Sequence, residues 1–301
     1  MEEYDVIIVG GGCAGYPAGV YASRFNLKTL VIASQRGGLI TTTHLVENYP
    51  GFISLTGQEL ADKLEAHAVA NHVEIKDDIV TKITKEGKYF IVKTEISEDS
   101  FKTKAVILAT GTKHKHLDAK GEKEFANKGV SYCATCDGNF FKGKIVALVG
   151  GSDSAAKEAM VLSQTASKVI MLIRSTLKAE PINADRLRKI PNVEIREGAQ
   201  IAQILGDKKV TGLVLTNGEK IDLSGVFIAI GHLPQNDLGI QLGTALNKKG
   251  EIMIDRLSRT NVPGVFAAGD VTDSEWKQGI IGSAEGSVAA YSTFEYISKN
   301  F

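Results

Sequence analysis

Two glycine-rich loops, each set between a short apolar strand and a helix, constrain the fold more than any other feature. Residues 4–10, "YDVIIVG", form an apolar, β-branched run that ends in glycine, which is typical of a buried parallel strand. A helical pattern follows, and then a second apolar run at 28–33, "KTLVIA". The same strand–glycine–helix–strand order returns over residues 144–174. The sequence therefore predicts an α/β fold with two doubly wound, Rossmann-like domains.

Other apolar runs supply the remaining strands. Buried strands are predicted at 104–111, 211–218, 225–231 and 264–270, and an antiparallel strand at 88–95. The chain has 301 residues, enough for two domains that each bury a core of their own.

The first loop contains Gly10, Gly12 and Gly15 in a G-x-G-x-x-G pattern. The first glycine allows a tight turn, the second lets a pyrophosphate approach the backbone, and the third lets helix and strand pack closely. A tight turn without a ligand is the alternative. The acidic residue expected about 20 positions later in NAD-binding loops is missing, because the second strand ends in "VIASQRGG". NAD is therefore disfavoured at this loop, and FAD remains compatible with it.

The second loop is a weaker match. It reads Gly150, Gly151, Ser152, Asp153, and the Cβ of Ser152 lies where a glycine would let a pyrophosphate approach.

Charge and cysteine content restrict the class of protein. Lys plus Arg and Asp plus Glu are both 35, so the formal net charge is zero. This balance argues against nucleic acid or an anionic membrane as the main partner. The acidic N-terminus does not resemble a signal peptide, and no apolar run approaches the roughly 18 residues of a membrane span. We expect a cytoplasmic protein, in which a C-x-x-C is more often catalytic or metal-binding than structural.

Cys133 and Cys136 form such a C-x-x-C, and Asp137 follows directly. The pair could transfer electrons, form a structural disulfide, or provide half of a zinc site. His114 and His116 lie shortly before it and would complete a Cys2His2 ligand set. Their spacing is not that of the common zinc fingers, and they lie in a lysine-rich connector, so zinc remains the lesser alternative. A nucleotide-binding module without disulfide chemistry is a further alternative, which the intact C-x-x-C-D argues against.

Over almost its whole length the sequence resembles the low-molecular-weight thioredoxin reductases, which are FAD-dependent pyridine nucleotide-disulfide oxidoreductases. The segments that carry the resemblance are "GGGCAG", "GGLITTTHLVENYPG", "ATGT", "SYCATCDG", "VGGSDSA", "AIGHLPQN", "TNVPGVFAAGDV" and "KQGIIGSAEGSVAA".

The resemblance implies an architecture, an activity and partners. Residues 1–112 and 244–301 would form an FAD domain, split by an inserted pyridine-nucleotide domain at 113–243. Electrons would pass from NAD(P)H through FAD to the Cys133–Cys136 disulfide and on to a thioredoxin-like protein. A homodimer is implied as well, with no resident metal and with no nucleic acid or membrane as partner.

The resemblance also assigns roles to residues. Cys136 would face the flavin, Cys133 would exchange with the disulfide of the partner, and Asp137 would act as the general acid. The FAD contacts it implies are Gly10, Gly12, Gly15, Gly38, Asn48, Val80, Thr110, Gly111, Asp270, Lys277, Gln278 and Gly279. The NAD(P) contacts it implies are Gly151, Ser152, Ser154, Arg174 and Lys178.

The sequence departs from the family pattern at a few positions. Cys13 replaces a proline, Leu39 replaces a glutamine that touches the flavin, and the family's Arg-Gln-Ala reads "KQG" at 277–279. The arginine-rich stretch that clamps the NADPH 2′-phosphate is one residue shorter and leaves only Arg174 and Lys178 as cations. We therefore expect NADPH to bind weakly or to be replaced by another donor, such as NADH, reduced ferredoxin or a deazaflavin. The alternative is that Arg174 and Lys178 suffice for NADPH and that the loop backbone shifts around Ser152. Cys13 lies at a helix N-terminus, which favours a lowered pKa, but the preferred interpretation is a small residue packed against the bound dinucleotide.

Overall fold

The computed structural model describes residues 1–43 and 46–301, and at Thr135 and Cys136 it describes the backbone but not the side chains. His44 and Leu45, inside the family-like segment 37–51, lie outside the described residues. The chain divides into two compact units, Met1–Lys113 with Leu233–Phe301, and His114–His232.

The first unit holds most of the longer strands. Its strands are β1 (Glu2–Val9), β2 (Thr29–Ala33), β3 (Glu74–Asp77), β4 (Val80–Glu86), β5 (Tyr89–Thr94), β6 (Ser100–Leu108) and, late in the chain, β17 (Val265–Ala267). Its helices are α1 (Gly15–Arg24), α2 (Gly57–Ala70), α6 (Asp237–Leu242) and α7 (Gly279–Asn300), with a 3₁₀ turn at Gly38–Thr42.

One sheet organises this unit. Strands β3, β2, β1, β6 and β17 run parallel, with Ile8 of β1 placed between Val31 of β2 and Ile107 of β6. β2, β17 and the second halves of β1 and β6 are apolar and buried, as expected for a sheet covered on both faces, whereas the edge strand β3 is mostly polar. β5 joins β6 and β4 in antiparallel fashion, which confirms the antiparallel strand predicted at 88–95.

Small residues allow helices α1 and α7 to pack closely against each other. A Cβ on Gly286 of α7 would lie only 2.1 Å from the carbonyl oxygen of Ala14. Helix α2 begins at a capping box, in which the Glu59 N–H donates to Thr56 Oγ1 at 3.1 Å and the Thr56 N–H donates to Glu59 Oε2 at 2.7 Å.

The second unit contains a parallel sheet and a smaller antiparallel one. Its strands are β8 (Val130–Ser131), β9 (Ile145–Val149), β10 (Lys168–Ile173), β11 (Val193–Glu197), β12 (Ile201–Gly206), β13 (Val210–Leu215), β14 (Lys220–Asp222) and β15 (Gly225–Ile228). Its helices are α3 (Ala134–Asp137), α4 (Asp153–Ser163) and α5 (Pro181–Arg188), with a 3₁₀ turn at Gly138–Phe141. Where the chain passes between the units, β7 (Thr112–His114) pairs with β16 (His232–Pro234).

The parallel sheet of this unit has the order β11-β10-β9-β15-β8. The strand predicted at 211–218 is β13, which lies in the antiparallel sheet β12-β13-β14. The predicted doubly wound α/β fold is confirmed. Within residues 1–43 and 46–301, no helix combines the length and the apolar character needed to cross a bilayer.

Candidate functional site

The first glycine loop connects β1 to α1, and two of its glycines are required by the fold itself. Gly10 has φ +114°, and a Cβ there would lie 2.1 Å from the carbonyl oxygen of Ala109. A Cβ on Gly15 would lie 1.8 Å from the carbonyl oxygen of Gly10. Any larger residue at either position would push helix α1 away from the sheet.

Gly12 is different, because the packing of the protein does not demand it. A Cβ there would meet the carbonyl oxygen of Gly37 at 3.4 Å, an ordinary contact. No capping side chain satisfies the first N–H groups of α1 at Ala14, and the first turn of the helix has no acidic residue. The space in front of Gly12 is thus open and faces free donors at the positive end of a helix, which is what a dinucleotide phosphate requires.

Other predicted flavin contacts surround this loop. A Cβ on Gly38 would lie 3.5 Å from Gly12 Cα, and a Cβ on Gly279 would lie 3.5 Å from Cys13 Sγ. The structure therefore brings Gly38 and the start of α7 to the same glycine loop, although they are far apart in sequence.

A polar group at the start of α7 joins two more of the predicted residues. Asn48 Nδ2 donates a hydrogen bond to Gln278 Oε1 at 2.9 Å. The neighbouring Lys277 forms an ion pair with Glu251 at 3.2 Å and donates a hydrogen bond to the Thr272 carbonyl.

Asp270 is a largely buried carboxylate that lies where a ligand could bind it. Burial raises its pKa, and the positive charge of Lys277 only partly opposes that rise. None of the described residues donates a hydrogen bond to its carboxylate. A half-buried carboxylate without donors is costly, and hydroxyl groups of a bound ligand would remove that cost. The residues of this unit therefore fit an FAD molecule with its pyrophosphate at Gly12.

The remaining predicted flavin residues are held in place by the backbone around them. Thr110 Oγ1 donates to the carbonyl oxygen of Gln235 at 2.6 Å, and Gly111 has φ +62°. Thr110 lies beside the loop, since a Cβ on Gly10 would be 3.2 Å from its backbone nitrogen. Val80 begins β4 and packs against the apolar core below the sheet.

Of the two interpretations of Cys13, the structure supports the small packed residue over the thiol with a lowered pKa. Burial raises the pKa of the Cys13 thiol to about 12, and the nearby Asp270 charge adds to the effect. The helix N-terminus does not outweigh burial. Cys13 is a small, packed residue whose carbonyl oxygen accepts a hydrogen bond from Ser283 Oγ at 2.7 Å.

The C-x-x-C of the second unit begins one residue before the one-turn helix α3 and continues into it. Cys133 directly precedes this helix, and its N–H donates to Ser131 Oγ at 3.1 Å. The Asp137 N–H donates to the Cys133 carbonyl oxygen at 3.1 Å and closes the turn. The side chain of Cys136 lies outside the described residues. The turn is the local geometry that a redox dithiol uses, and Asp137 closes it directly after the pair.

A buried carboxylate that the sequence did not single out supports the segment before the cysteines. Glu122 is 1% exposed and accepts hydrogen bonds from Tyr132 Oη at 2.6 Å and from the N–H of Leu117 at 3.0 Å. Burial alone would raise the pKa of Glu122, but these hydrogen bonds lower it below its usual value. An acidic residue in a lysine-rich connector gives no periodic signal, so only the fold reveals its role.

The two histidines of the zinc interpretation have other neighbours. The Nδ1 atom of His116 lies 2.9 Å from Tyr132 Oη, and the ring of His114 lies 4.9 Å from the ring of His232. Among the side chains that the structure describes, no group of three or more His, Cys, Asp or Glu could hold a metal ion. The described residues therefore give the zinc interpretation no support.

The second glycine loop, between β9 and α4, is less open than the first. A Cβ on Gly151 would lie 2.6 Å from Ile173 Cγ2, so packing requires this glycine. Ser152 caps α4 by accepting the Ala155 N–H on its Oγ at 3.3 Å, and Asp153 places an acidic group in the first turn. One of the donors that would hold a pyrophosphate is thus already occupied, and a negative charge lies nearby.

The structure brings some of the predicted nucleotide contacts together. The Lys178 N–H donates to the Gly151 carbonyl oxygen at 2.7 Å, which places Lys178 beside the loop. Arg174 and Ser154 are exposed. These residues fit a pyridine nucleotide only in part. The loop is closed by the Ser152 cap of α4, and one arginine and one lysine stand where the family has a cluster of arginines.

Comparison with known proteins places the chain in a family. Residues 4–290 match the family described as pyridine nucleotide-disulphide oxidoreductase. The F protein of the alkyl hydroperoxide reductase of Staphylococcus epidermidis is 38% identical over 99% of this chain and 60% of its own length. The chain thus spans about 60% of the length of the curated relatives it matches.

Solved structures similar to the chain include two that cover nearly all of it. The thioredoxin reductase of Lactococcus lactis matches 98% of this chain and 99% of its own with a TM-score of 0.94 at 35% identity. A ferredoxin-flavin thioredoxin reductase from Clostridium acetobutylicum matches 100% of both chains with a TM-score of 0.56 at 33% identity. From the match over residues 4–290, the doubly wound fold and these relatives, the chain belongs to the pyridine nucleotide-disulphide oxidoreductase family.

Proposed function

We propose that the protein is an FAD-dependent thioredoxin-disulfide reductase. Electrons would pass from a reduced donor to FAD in the first unit, then to the Cys133–Cys136 disulfide, and then to a thioredoxin-like protein. The observation that carries the proposal is the one-turn helix α3, which holds a C-x-x-C-D in a chain whose other unit offers an open dinucleotide loop. The names of the L. lactis and C. acetobutylicum proteins support it.

The first unit would hold FAD through the residues that surround Gly12. Helix α1 would bind the pyrophosphate with its free N–H groups, and Asp270 would accept hydrogen bonds from ribityl hydroxyl groups. Asn48, Lys277 and Gln278 would lie on the flavin side. The isoalloxazine supplies the two-electron chemistry that no amino-acid side chain of the unit can perform.

We expect purified protein to be yellow and to release FAD on denaturation. Gly12→Ala is expected to abolish FAD binding while the apoprotein stays folded, because the added methyl group fits the protein but enters the pyrophosphate space. Absorbance and circular dichroism measure the two effects separately. Gly282→Ala is the control, since a methyl group there also meets its nearest neighbour at an ordinary 3.5 Å. A colourless wild-type protein that takes up no added FAD would refute the proposal.

The side chains near α3 would perform the exchange with the partner. Cys133, half-buried at the start of the turn, would attack the disulfide of the partner, and Asp137 would supply the proton that the departing thiolate or the flavin requires. Phe140, 74% exposed four residues after Cys136, offers an apolar contact for a docked protein.

The electron donor is the part of the reaction where this chain departs most from its family. The family description names a pyridine nucleotide, whereas the C. acetobutylicum protein is named for ferredoxin. We propose that NADPH binds weakly or is replaced by NADH, reduced ferredoxin or a deazaflavin. Two observations support weak NADPH binding. The N-terminus of α4 is capped, and the cations after β10 are one arginine and one lysine, Arg174 and Lys178, instead of two arginines.

Anaerobic titration of the flavin with NADPH and NADH tests this proposal. Losing one charge-assisted contact, worth about 1.5–3 kcal/mol, should weaken NADPH binding by about one to two powers of ten. Ser152→Gly is expected to tighten NADPH binding, because it frees the first donors of α4. Fast, complete flavin reduction at micromolar NADPH would contradict the proposal. Reduction by dithionite but by neither nucleotide would indicate a different class of donor.

The setting of the enzyme is part of the proposal. We infer a cytoplasmic homodimer that acts on a thioredoxin-like protein, with an FAD domain at 1–112 and 244–301 and a pyridine-nucleotide domain at 113–243. The resemblance supports the dimer and the domains, and the zero net charge agrees with a partner other than nucleic acid or membrane.

The name of the S. epidermidis relative makes a role in alkyl hydroperoxide reduction the second candidate. Flavin reoxidation by a thioredoxin-like disulfide, compared with a coupled hydroperoxide assay, separates the two.

A further inference from the structure

One buried carboxylate of the second unit has no role in the reaction described so far. Glu158 lies in the middle of α4, and its carboxylate accepts a hydrogen bond from the backbone N–H of Ala134. Ala134 is the first residue of α3 and lies between the two cysteines in sequence. The Glu158 Oε2 atom is buried and has no hydrogen-bond partner among the described residues. An unpaired buried oxygen of this kind is costly and calls for an explanation.

Helix α4 and the residues directly after it contact the redox turn at Ala134 and at Gly138, so Glu158 is well placed to act on the turn. Thr165 Oγ1 donates to the carbonyl oxygen of Gly138 at 3.3 Å, and a Cβ on Gly138 would lie 3.3 Å from Leu162 Cδ2. The turn and α4 are therefore packed without a gap at Gly138, and the Ala134 contact fixes the other end of the turn.

No charged side chain among those that the structure describes compensates the Glu158 carboxylate. The charged or titratable groups on or directly beside α3, α4 and α5 are Cys133, Cys136, Asp137, Asp153, Lys157, Glu180, Asp185, Arg186, Arg188 and Lys189. Lys157 forms an ion pair with Asp153 at 3.1 Å instead. Burial raises the pKa of Glu158 to about 7, and the Ala134 hydrogen bond opposes this only in part. Near neutral pH the carboxyl group can therefore gain or lose a proton at little cost.

We propose that Glu158 is a positioning residue of the dithiol centre that holds the Ala134 amide and takes up a proton when the Cys133–Cys136 disulfide is reduced. The inference rests on the proposed function, and it concerns the redox pair of that same reaction.

Reduction of the disulfide in this proposal consumes two electrons and two protons. Two electrons from a dithiol or a reduced flavin break the S–S bond. One sulfur takes a proton and becomes a thiol, and the other remains a thiolate. A second proton goes to Glu158, because an ionised carboxylate against α3 would repel the new thiolate. Reoxidation by the partner disulfide returns both protons.

The ionisation of the reduced cysteine pair tests the inference without FAD or turnover. The protein is reduced with dithiothreitol and desalted, and alkylation by iodoacetamide is followed between pH 5 and 9 by mass spectrometry of the Cys133–Cys136 peptide. Because the negative charges of the thiolate and of Glu158 repel each other, the alkylation rate of the wild type should depend on pH in two coupled steps. Glu158→Gln keeps the acceptor for the Ala134 N–H, and it should give a single step with the thiolate pKa lowered by about one unit. Glu124→Gln, which removes an exposed carboxylate of the same unit, should behave like the wild type.

An unchanged titration in Glu158→Gln would overturn the inference. If that variant fails to fold, the reduced-minus-oxidised infrared spectrum of wild type and of Asp137→Asn replaces it. A protonated carboxyl band that appears on reduction in both supports proton uptake at Glu158, and the lack of such a band in both refutes it. Absence of flavin reduction would contradict the proposed function instead, since neither measurement requires a flavin.

Discussion

Replacing Cys133 by serine is expected to abolish disulfide turnover while FAD remains bound. Cys133 lies at the accessible start of α3, and the resemblance makes it the sulfur that attacks the partner. Without it no mixed disulfide can form, and the loss is complete rather than partial. In the reduced variant the remaining Cys136 thiolate should produce a long-wavelength charge-transfer band with the oxidised flavin. Stopped-flow absorbance and a thioredoxin-like disulfide assay measure the two effects.

Cys136→Ser is the matched control. It should lose turnover to the same degree but show no charge-transfer band, because the resemblance assigns the flavin-facing role to Cys136. Cys13→Ser serves as a second control, since the raised pKa of Cys13 keeps that thiol protonated. A charge-transfer band in Cys136→Ser would reverse the assignment of the two cysteines.

Replacing Asp137 by asparagine is expected to slow electron transfer between flavin and disulfide by about 10²–10⁴-fold, the usual effect of removing a positioned general acid. Asp137 ends α3 and is half-buried, and it follows Cys136 directly in the sequence. The rate of disulfide reduction after mixing with a reduced donor measures the effect.

FAD content should not change in the Asp137 variant, because Asp137 belongs to the second unit. Asp207→Asn is a suitable control, since Asp207 is an exposed acidic residue of the same unit, in the turn between β12 and β13. A rate in Asp137→Asn equal to that of the wild type would show that the carboxyl group is not the general acid, and that Asp137 only closes the turn through its backbone N–H.

The strands that carry the two glycine loops could be predicted because their signals are local. β1, β2, β9 and β10 contain continuous apolar runs, two of which (β1 and β9) end directly at a glycine, and each lies where the sequence predicted a strand. β4 was not predicted, since "VTKITKE" has a single fully buried position and faces solvent for most of its length. β13 is as apolar as a parallel strand, and only its partners make it antiparallel.

The sequence predicted the candidate site less completely than the fold. Gly10 and Gly15 could be identified because the steric demands of the turn act within a short local pattern, G-x-G-x-x-G, that is visible in the sequence. The helix N-terminus beside Cys13 is visible in the sequence, whereas the burial that raises its pKa is visible only in the fold. Glu158 and Glu122 were missed for the same reason. Their importance comes from apolar surroundings and amide partners that only the folded chain assembles.

The packing of α7 against α1 has a consequence for synthesis on the ribosome. Gly286 meets Ala14, and β17 completes the sheet at β6, so the first unit lacks a strand and a covering helix until the last part of the chain has been made. The second unit is continuous from His114 to His232 and has all its strands long before that point. Domains generally fold as units during translation. The nascent chain must therefore keep the apolar edge of β6 unpaired while the inserted unit folds, an interval in which chaperones and aggregation compete for the same strand.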